Sequence, residues 1–367
     1  MHERSKINGP ARIEESSTTR LRLASQADAD AWDSYVASHP RATAYHRWAY
    51  KTALETSYGL KTFYVIAESE KGVIQGVLPA ARIRSLRGAS LLCSLPYCDR
   101  GEALVAGPGV DRELINWLSQ QTGLRMEVRG TSDSDAALTG DAANGLAPGQ
   151  KVRMVLALPD SSEDLLAGFK SKHRSQINKA RKNGLVSSVA PGGDRVAAFY
   201  DVFARNMRDL GSPTHAKSWF SAIAGDYGED CLIGLVTLDG RVVGAGIVLT
   251  NGDTAVVPWA STLREYNRLA PNMLLYWSLI EAATERGCRA FDFGRSGYQE
   301  GTYRFKAQWG AEPVPLRWSR HGAGAGDESA TPGQSNHARA ALAWVWRHLP
   351  LPLSVALGSR LRPLISL

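Results

Sequence analysis

The spacing of hydrophobic residues in the first part of the chain predicts an α/β unit. Trp32, Tyr35 and Val36 fall on one helical face of DADAWDSYVASH, and a second helix is predicted from His46 to Tyr58. The segments that follow predict three β-rich regions, a helix and a last strand, in the order TFYVIAE, GVIQGVLPAARI, ASLLCSLPY, RELINWLSQQ and LRMEVRG.

A second α/β unit is predicted after residues 130–150, which are small, polar and glycine-rich and therefore form a linker or an exposed loop. It opens with the strand VRMVLAL, and the pair Asp239-Gly240 between β-branched runs predicts a tight hairpin. The helix MLLYWSLIEAATERG, which we expect Gly287 to end, leads into the strand RAFDFG. The order strand, hairpin, strand, helix, strand is typical of an acetyltransferase-like domain.

The two ends of the chain differ from these units. Residues 1–19 are polar and predicted to be disordered, so the domains are expected at 20–150 and 151–320, with a linker at 321–336. Residues 337–367 predict amphipathic tail helices, in which Leu342, Val345, Trp346 and Leu349 are at helical spacing. The sequence Pro350-Leu351-Pro352 must break this tail into two helices.

Composition indicates a folded protein that is not exported. Hydrophobic residues make up 44% of the 367 residues, and no apolar run resembles a secretory signal or a membrane span. The cysteines lack metal-ligand spacing, so we expect core thiols and no metal. The expected location is the cytoplasm, with peripheral contact at the inner membrane face left open.

The net charge of +7 is concentrated in two patches. KSKHRSQINKARK, at 170–182, contains six Lys or Arg and no acid, and residues 334–367 contain four Arg and no acid. Such patches favour a polyanionic partner, which can be a phosphate group, RNA or an anionic membrane. Within the first patch, Lys172, Arg174 and Arg181 are candidate contacts to a phosphate or to a tRNA backbone.

One region resembles a known family. DFGRSGYQEGTYRFKAQWGAEPVPLRW, at 292–318, is similar to the FemAB family of peptidoglycan aminoacyl-transferases, especially the FemAB-related proteins of exosortase (PEP-CTERM) and exopolysaccharide loci. HPRATAYHRWAY, KSKHRSQINKARKNGL and PNMLLYWSLIEAATERG extend the resemblance over roughly residues 20–320. The chain departs from the family at LPYCDRGEAL, where relatives tend to show an Asn-Tyr-Gly-Gly-like stretch.

The resemblance implies an α/β fold of tandem GNAT (acyl-CoA N-acyltransferase-like) domains with a cleft between them. It also implies transfer of an amino acid from aminoacyl-tRNA to an amine of a cell-wall precursor, while relatives of the same fold use acyl thioesters such as acyl-ACP or acyl-CoA. No tightly bound cofactor is expected. The expected partners are tRNA or an acyl carrier protein, together with an envelope or polysaccharide precursor.

Candidate catalytic residues lie in the segment from Phe291 to Trp309. Lys306 matches the lysine of the family's Phe-Lys motif, which implies that it holds the donor's phosphate region or the oxyanion. Arg295 and Ser296 directly follow the strand FDFG, and residues at such strand ends commonly line the cleft of an α/β domain. Tyr303 is a candidate proton relay, and Arg304 a candidate for substrate binding.

In the first half, three residues are candidates for binding the acceptor. His46 could serve as a base because its usual pKa is close to neutral. Tyr97 and Asp99 end an apolar segment, and Asp99 could orient or deprotonate an amine. The competing interpretation for His46 is a helix-capping or surface role.

One apparent motif is rejected. Arg241, Gly244 and Gly246 match the R-x-x-G-x-G spelling of an acetyl-CoA pyrophosphate loop, but they are predicted inside a hairpin strand and not at the start of a helix. The segment before the long helix, LREYNRLAPN, has no glycine, which disfavours ordinary acetyl-CoA use. Asn272 is instead expected to be the N-cap of that helix.

These patterns leave three functions open. The first is aminoacyl or acyl transfer to an amine or hydroxyl of a cell-envelope or exopolysaccharide precursor. The second is N-acyl transfer from acyl-ACP or acyl-CoA, and the third is a non-catalytic binding module for polysaccharide machinery or nucleic acid. The tail, with Trp344, Arg339, Arg347 and Arg360, either docks on the body or lies at an anionic membrane surface.

Overall fold

A computed structural model describes residues 19–84, 88–131, 145–322 and 336–366, with backbone only for 336–339. Nearly all of the predicted disordered tail, 1–19, and most of the predicted linker, 321–336, lie outside the described residues. Within them, the fold is α/β, as the sequence predicts.

Both halves of the chain contain strands and helices. The strands are β1 (Arg20–Leu23), β2 (Val65–Glu68), β3 (Ile74–Leu78), β4 (Ala81–Arg84), β5 (Ser90–Cys93), β6 (Leu104–Val105), β7 (Met126–Thr131), β8 (Lys151–Ala157), β9 (Val186–Pro191), β10 (Cys231–Leu238), β11 (Arg241–Asn251), β12 (Thr254–Thr262), β13 (Ala290–Gly297) and β14 (Glu312–His321). The helices are α1 (Ala29–Ser38), α2 (Trp48–Tyr58), α3 (Val110–Thr122), α4 (Ser162–Gly168), α5 (Ser171–Lys182), α6 (Val196–Leu210), α7 (Lys217–Tyr227), α8 (Pro271–Glu285), α9 (Gly301–Ala307), α10 (Asn336–Arg347) and α11 (Leu351–Leu361).

The strands form two sheets, and the larger one runs through both halves. The smaller sheet has the order β1-β2-β3-β6, and the larger has the order β4-β5-β7-β14-β8-β13-β12-β11-β10-β9. β14 joins the halves, because its residues Glu312 to Pro315 pair with β8 and Leu316 to His321 pair with β7. A strand from the end of the second half therefore completes the sheet of the first.

The packing also crosses between the halves. One core cluster combines α1 and α2 of the first half with α6, α7 and one face of β10–β12. On the opposite face, α5 and α8 pack over the sheet, and Trp277 and Trp309 are fully buried there. Since large aromatic side chains bury extensive apolar area, the first cluster, which contains Trp32, Trp48 and Trp219, holds the two halves in one body.

Local sequence signals account for several element ends. The turn between β10 and β11 has positive φ angles at both Asp239 and Gly240, as the predicted hairpin requires. Gly287 follows α8 with a φ of 80°, which few residues other than glycine adopt readily. The prediction that Asn272 is the N-cap of α8 is wrong. The helix begins at Pro271 and its N-cap is Ala270, because proline is favoured at the first helical position.

The glycines of the rejected phosphate-loop motif have a packing role. Gly244 and Gly246 lie within β11, and a β-carbon at Gly246 would come within 2.9 Å of the Leu279 side chain of α8. Glycine therefore lets α8 approach the sheet closely. This placement agrees with rejecting the motif as a pyrophosphate loop.

The tail forms two helices that break before Leu351, as predicted. α11 is docked on the body, since Ser354 and Gly358 are buried and a β-carbon at Gly358 would collide with the backbone of Thr214. α10 packs on α6, yet its side chains Leu342, Trp344 and Val345 are exposed. Among the described residues, no helix has the length and hydropathy needed to cross a membrane.

Candidate active site

The candidate site lies where two neighbouring strands of the large sheet separate. β12 and β13 are parallel and pair over only three positions, from Thr254 opposite Ala290 to Val256 opposite Asp292. Both strands continue beyond this point without pairing with each other. A wedge therefore opens at the carboxyl end of β13, where the sequence placed Arg295 and Ser296.

A β-bulge in β13 shapes this wedge. The pairing of β13 with β8 shifts register between Asp292 and Arg295, and Gly294 has a φ of 71°. The Asp292 carboxylate accepts a hydrogen bond from the Gly294 N–H at 2.8 Å and pairs with Arg153 at 3.2 Å. Bulges of this kind redirect side chains next to active sites.

The first half of the chain contributes Asp99 to the wedge. Its Oδ2 accepts a hydrogen bond from the backbone N–H of Arg295 at 3.2 Å, and its Oδ1 lies 3.4 Å from Arg295 Nε. Burial raises the pKa of Asp99, although the neighbouring Arg295 guanidinium opposes this shift. Arg295 thus pairs with Asp99 of the first half, while Asp292 pairs with Arg153.

Lys306 on α9 supports the same bulge from inside. Its Nζ donates to the carbonyl oxygens of Gly294 at 3.0 Å and Arg295 at 2.8 Å, and only 7% of the residue is exposed. Burial lowers the pKa of Lys306 to about 8. An ammonium group has three donors, so one N–H remains after these two bonds.

The other predicted residues of this segment differ in exposure. Ser296 is 4% exposed, and its hydroxyl has no hydrogen-bond partner within the described part of the chain. An unpaired buried hydroxyl is costly unless water or a ligand satisfies it. Tyr303 is half-buried against Tyr298, with ring centroids 5.0 Å apart, and the Arg304 side chain is exposed.

Two residues that the sequence interpretation missed connect Asp99 to Arg295. Trp318 of β14 donates from Nε1 to the Asp99 carbonyl oxygen at 3.3 Å, and its ring packs against the guanidinium groups of Arg129 and Arg295. Arg129 of β7 is fully buried and donates to the carbonyl oxygens of Leu95 and Cys98. Arg129 also pairs with Glu127 of the same strand at 2.8 Å, and these two charges within β7 were the available signal.

The structure corrects two predicted acceptor contacts. His46 is fully buried, its Nε2 lies 3.1 Å from the Glu102 carbonyl oxygen, and its Nδ1 contacts Thr43. Burial lowers the pKa of His46 to about 4, so this histidine is neutral and supports the chain just before α2. Tyr97 is also buried. Its hydroxyl donates to the carbonyl oxygen of Pro363, near the end of the chain.

The basic run forms α5, as predicted, and its first turn adjoins the segment of Lys306. His173 packs edge-on against Trp309, with ring centroids 4.1 Å apart. Lys172 and Arg181 are exposed. Arg174 has a structural role instead, because its Nη1 donates to the carbonyl oxygens that end α4.

The candidate site does not coincide with either of two surface cavities of the protein. These cavities, of about 500 and 190 Å³, lie elsewhere, beside β1–β2 and between α6 and β11, and none of the predicted site residues lines them. The described residues also contain no cluster of His, Cys, Asp and Glu that could hold a metal. The chemistry that the wedge offers is thus a carboxylate, a guanidinium, an ammonium and a hydroxyl.

Comparison with known proteins supports this interpretation of the fold. Residues 167–307 match the family described as acetyltransferase (GNAT) domain. The crystal structure of FemX superposes with a TM-score of 0.62 at 15% identity, covering 81% of this chain and 95% of FemX. No curated protein matches the sequence.

A second group of similar structures consists of lysylphosphatidylglycerol synthetases. L-PGS from Bacillus licheniformis has a TM-score of 0.51 at 11% identity, covering 93% of this chain and 98% of its own. The C-terminal domain of a putative synthetase from Agrobacterium fabrum has a TM-score of 0.50 at 12% identity, covering 79% and 90%.

The GNAT match and the tandem α/β fold make this chain an acyl- or aminoacyl-transferase of the GNAT fold. The superposition on FemX confirms the fold that the resemblance to the FemAB family implies. The nature of the donor and of the acceptor is a separate question.

Proposed function

We propose that the chain transfers an aminoacyl or acyl group to an amine or hydroxyl of a cell-envelope or exopolysaccharide precursor at the wedge between β12 and β13. The observation that carries the proposal is the grouping of Asp99, Arg295 and Lys306, which joins the two halves at one point. Acyl transfer needs a base and a stabilised oxyanion, and these side chains can supply both.

The proposed reaction begins at the acceptor. Its nitrogen or oxygen gives a proton to Asp99 while forming a bond to the donor's carbonyl carbon. The remaining N–H of Lys306 stabilises the developing oxyanion, and Arg295 holds the anionic part of the donor. The C–O bond of an aminoacyl ester, or the C–S bond of a thioester, then breaks, and the proton passes to the leaving oxygen or sulfur.

For the donor, we infer aminoacyl-tRNA as the first candidate. The exposed lysines and arginines of α5 suit an RNA backbone, and the start of α5 packs on Trp309, three residues after Lys306. The loop before α8 contains no glycine, which weighs against a CoA pyrophosphate there. An acyl thioester is the second candidate, favoured by the GNAT-domain match.

We also propose that α10 contacts an anionic membrane surface, which suits a lipid-linked acceptor. Leu342, Trp344 and Val345 are exposed on this helix, with Trp344 62% exposed, and Arg347 is exposed beside them. Residues 334–367 contain no acid. Apolar and basic side chains on one helix are typical of binding at a membrane interface.

A comparison of donors tests the function. The purified full-length protein is incubated with membrane extract and either aminoacyl-tRNAs carrying labelled amino acids or labelled acyl-CoA and acyl-ACP, and transfer of label to the extract is measured. We expect transfer from aminoacyl-tRNA that RNase abolishes. Transfer with thiol release would establish the thioester alternative.

The contradictory outcome is the absence of transfer from every donor together with full biological function of the Lys306→Ala variant. In that case the chain would act as a binding module. Lys71→Ala is the matched control, because Lys71 is an exposed lysine in the turn between β2 and β3.

A further inference from the structure

The last described residues of the chain bind the turn that carries Asp99. The Ser366 carbonyl oxygen accepts hydrogen bonds from the backbone N–H of Tyr97 at 2.8 Å and from Arg129 Nη1 at 2.9 Å. The Tyr97 hydroxyl donates to the Pro363 carbonyl oxygen at 3.3 Å. We call residues 362–366 the C-terminal strap and residues 95–99 the site turn.

Arg362 attaches the strap to the body. Its Nε donates to His215 Nε2 at 3.0 Å, and its guanidinium lies 5.2 Å from the centre of the Tyr97 ring. Its Nη1 donates to the Ile365 carbonyl oxygen at 2.8 Å, which closes the strap into a compact turn. Within the described residues, no carboxylate pairs with Arg362, so its position depends on these aromatic and carbonyl contacts.

The site turn has an unusual conformation that the strap supports. Tyr97 has a φ of 67°, which is rare for a bulky residue and costs conformational energy. In this conformation its N–H points to Ser366 and is satisfied there. The same turn continues to Asp99, two residues later, whose carboxylate reaches Arg295.

Arg129 links the strap to the other site residues. One nitrogen, Nη1, donates to the carbonyl oxygens of Leu95, Cys98 and Ser366. The guanidinium also packs on Trp318, which donates to the Asp99 carbonyl oxygen. Arg129 thus holds the site turn at Leu95 and at Cys98, and the Ser366 carbonyl oxygen of the strap holds Arg129.

We propose that the C-terminal strap is a positioning element of the active site, with Arg362 as its anchor, and that it holds the site turn so that Asp99 faces Arg295. The effect on catalysis rests on the proposed function. The effect on the conformation of the site turn does not, so the two are tested separately.

Cys98 provides a local measurement of the turn. All four cysteines are buried and free, and Cys98 lies within the site turn, whereas Cys231 and Cys288 lie in the second half. The rate at which iodoacetamide labels each thiol is measured by mass spectrometry in full-length Arg362→Gln. Arg360→Gln is the matched control, because Arg360 is exposed and its replacement removes the same charge.

We expect Arg362→Gln to raise the labelling rate of Cys98 about tenfold and to leave Cys231 and Cys288 unchanged, since one hydrogen-bonded anchor of a locally opening segment is lost. Arg360→Gln should label as the unchanged protein does. Arg362→Lys keeps the charge, so its Cys98 labelling rate should lie between those of the unchanged protein and Arg362→Gln. It replaces Arg362→Gln in the test if Arg362→Gln does not fold. Equal Cys98 labelling in all four proteins would overturn the proposal.

The transfer assay then tests the catalytic part. Arg362→Gln should lower kcat about tenfold with little change in KM for the donor, because the base is misplaced while the donor-binding residues are untouched. A higher kcat would overturn the proposal and indicate that the strap blocks the site. If the unchanged protein transfers nothing from any donor, the proposed function fails, while Cys98 labelling still decides the role of the strap.

Discussion

The Asp99 carboxylate of the first half accepts a hydrogen bond from the backbone N–H of Arg295 in the second half, with 3.2 Å between the two atoms. This N–H lies beyond the last paired residue of β12 and β13, so the carboxylate occupies the place that a neighbouring strand would otherwise take. The contact joins the two halves at the point where the proposed reaction occurs. Each half alone would therefore lack part of the site.

Replacing Asp99 with Asn tests the proposed base. The amide oxygen can still accept from the Arg295 N–H, so the fold should be preserved, but the side chain can no longer take a proton. We expect kcat to fall about 100-fold to 10,000-fold. Asp111→Asn, at an exposed acid in α3, is the control and should transfer at the normal rate.

The pH dependence of transfer should have two limbs. Because burial raises the pKa of Asp99, the carboxylate becomes protonated and the rate falls as the pH drops through that raised value. Because the pKa of Lys306 is about 8, its ammonium loses a proton and the rate falls again above about pH 8. A kcat profile that stays flat up to pH 9 would argue against the role of Lys306, and one that does not fall at acid pH would argue against the role of Asp99.

The exposed and half-buried cations of α5 should behave differently. Combined Lys172→Ala and Arg181→Ala should raise KM for aminoacyl-tRNA about tenfold and weaken its salt dependence, because phosphate contacts are lost. Arg174→Ala should instead lower the free energy of unfolding by about 1 kcal/mol, since its hydrogen bonds to the end of α4 are lost. A double variant whose KM and salt dependence equal those of the unchanged protein would exclude α5 from tRNA binding.

His46→Ala should affect stability and not catalysis. The loss of hydrogen bonds at a fully buried side chain should reduce the free energy of unfolding by about 2–3 kcal/mol, measured in urea. The folded variant should keep its kcat. Normal stability with a reduced kcat would restore the direct acceptor role that the structure argues against.

The stability contributed by neutral His46 should also depend on pH. Its pKa is about 4 in the folded protein, below the usual value of about 6.5 for an unfolded chain. Its contribution is therefore complete above about pH 6.5 and decreases as the pH falls toward 4, because the unfolded chain binds the proton first. The difference in stability between the unchanged protein and His46→Ala should be smaller at pH 5 than at pH 7.5.

The membrane proposal predicts a specific loss of vesicle binding. Leu342→Ser combined with Trp344→Ser should reduce flotation with vesicles rich in phosphatidylglycerol about tenfold, because α10 loses most of its exposed apolar surface. Leu23→Ser combined with Val73→Ser removes exposed apolar side chains elsewhere and is the control. Equal flotation of the two double variants would show that α10 is not the contact surface.

The sequence predicts the elements whose causes are local. The hairpin at Asp239-Gly240, the end of α8 at Gly287 and the break before Leu351 each follow from the preferences of one or two residues. The placement of Arg295 at the end of a strand is equally local, and the structure does bring it together with Lys306 and Asp99.

The remaining features depend on pairings between distant residues, which sequence patterns do not specify. Arg129 and Ser366 are 237 positions apart, and β14 pairs with strands from both halves. The burial of His46 depends on Glu102, 56 positions away, so a histidine near a helix start gave no indication of it. Distant contacts of this kind also explain why the covering of Tyr97 by the strap was not predicted.

The most direct test of the account is the rate at which Lys306→Met transfers the group that the unchanged protein transfers. Methionine fills the buried space but cannot donate to the oxyanion or to the carbonyls of Gly294 and Arg295. We predict a loss of kcat of about 100-fold or more in a variant whose melting curve shows a folded protein, and normal kcat in Lys71→Ala. Transfer by folded Lys306→Met at the normal rate would contradict the assignment of the active site to this wedge.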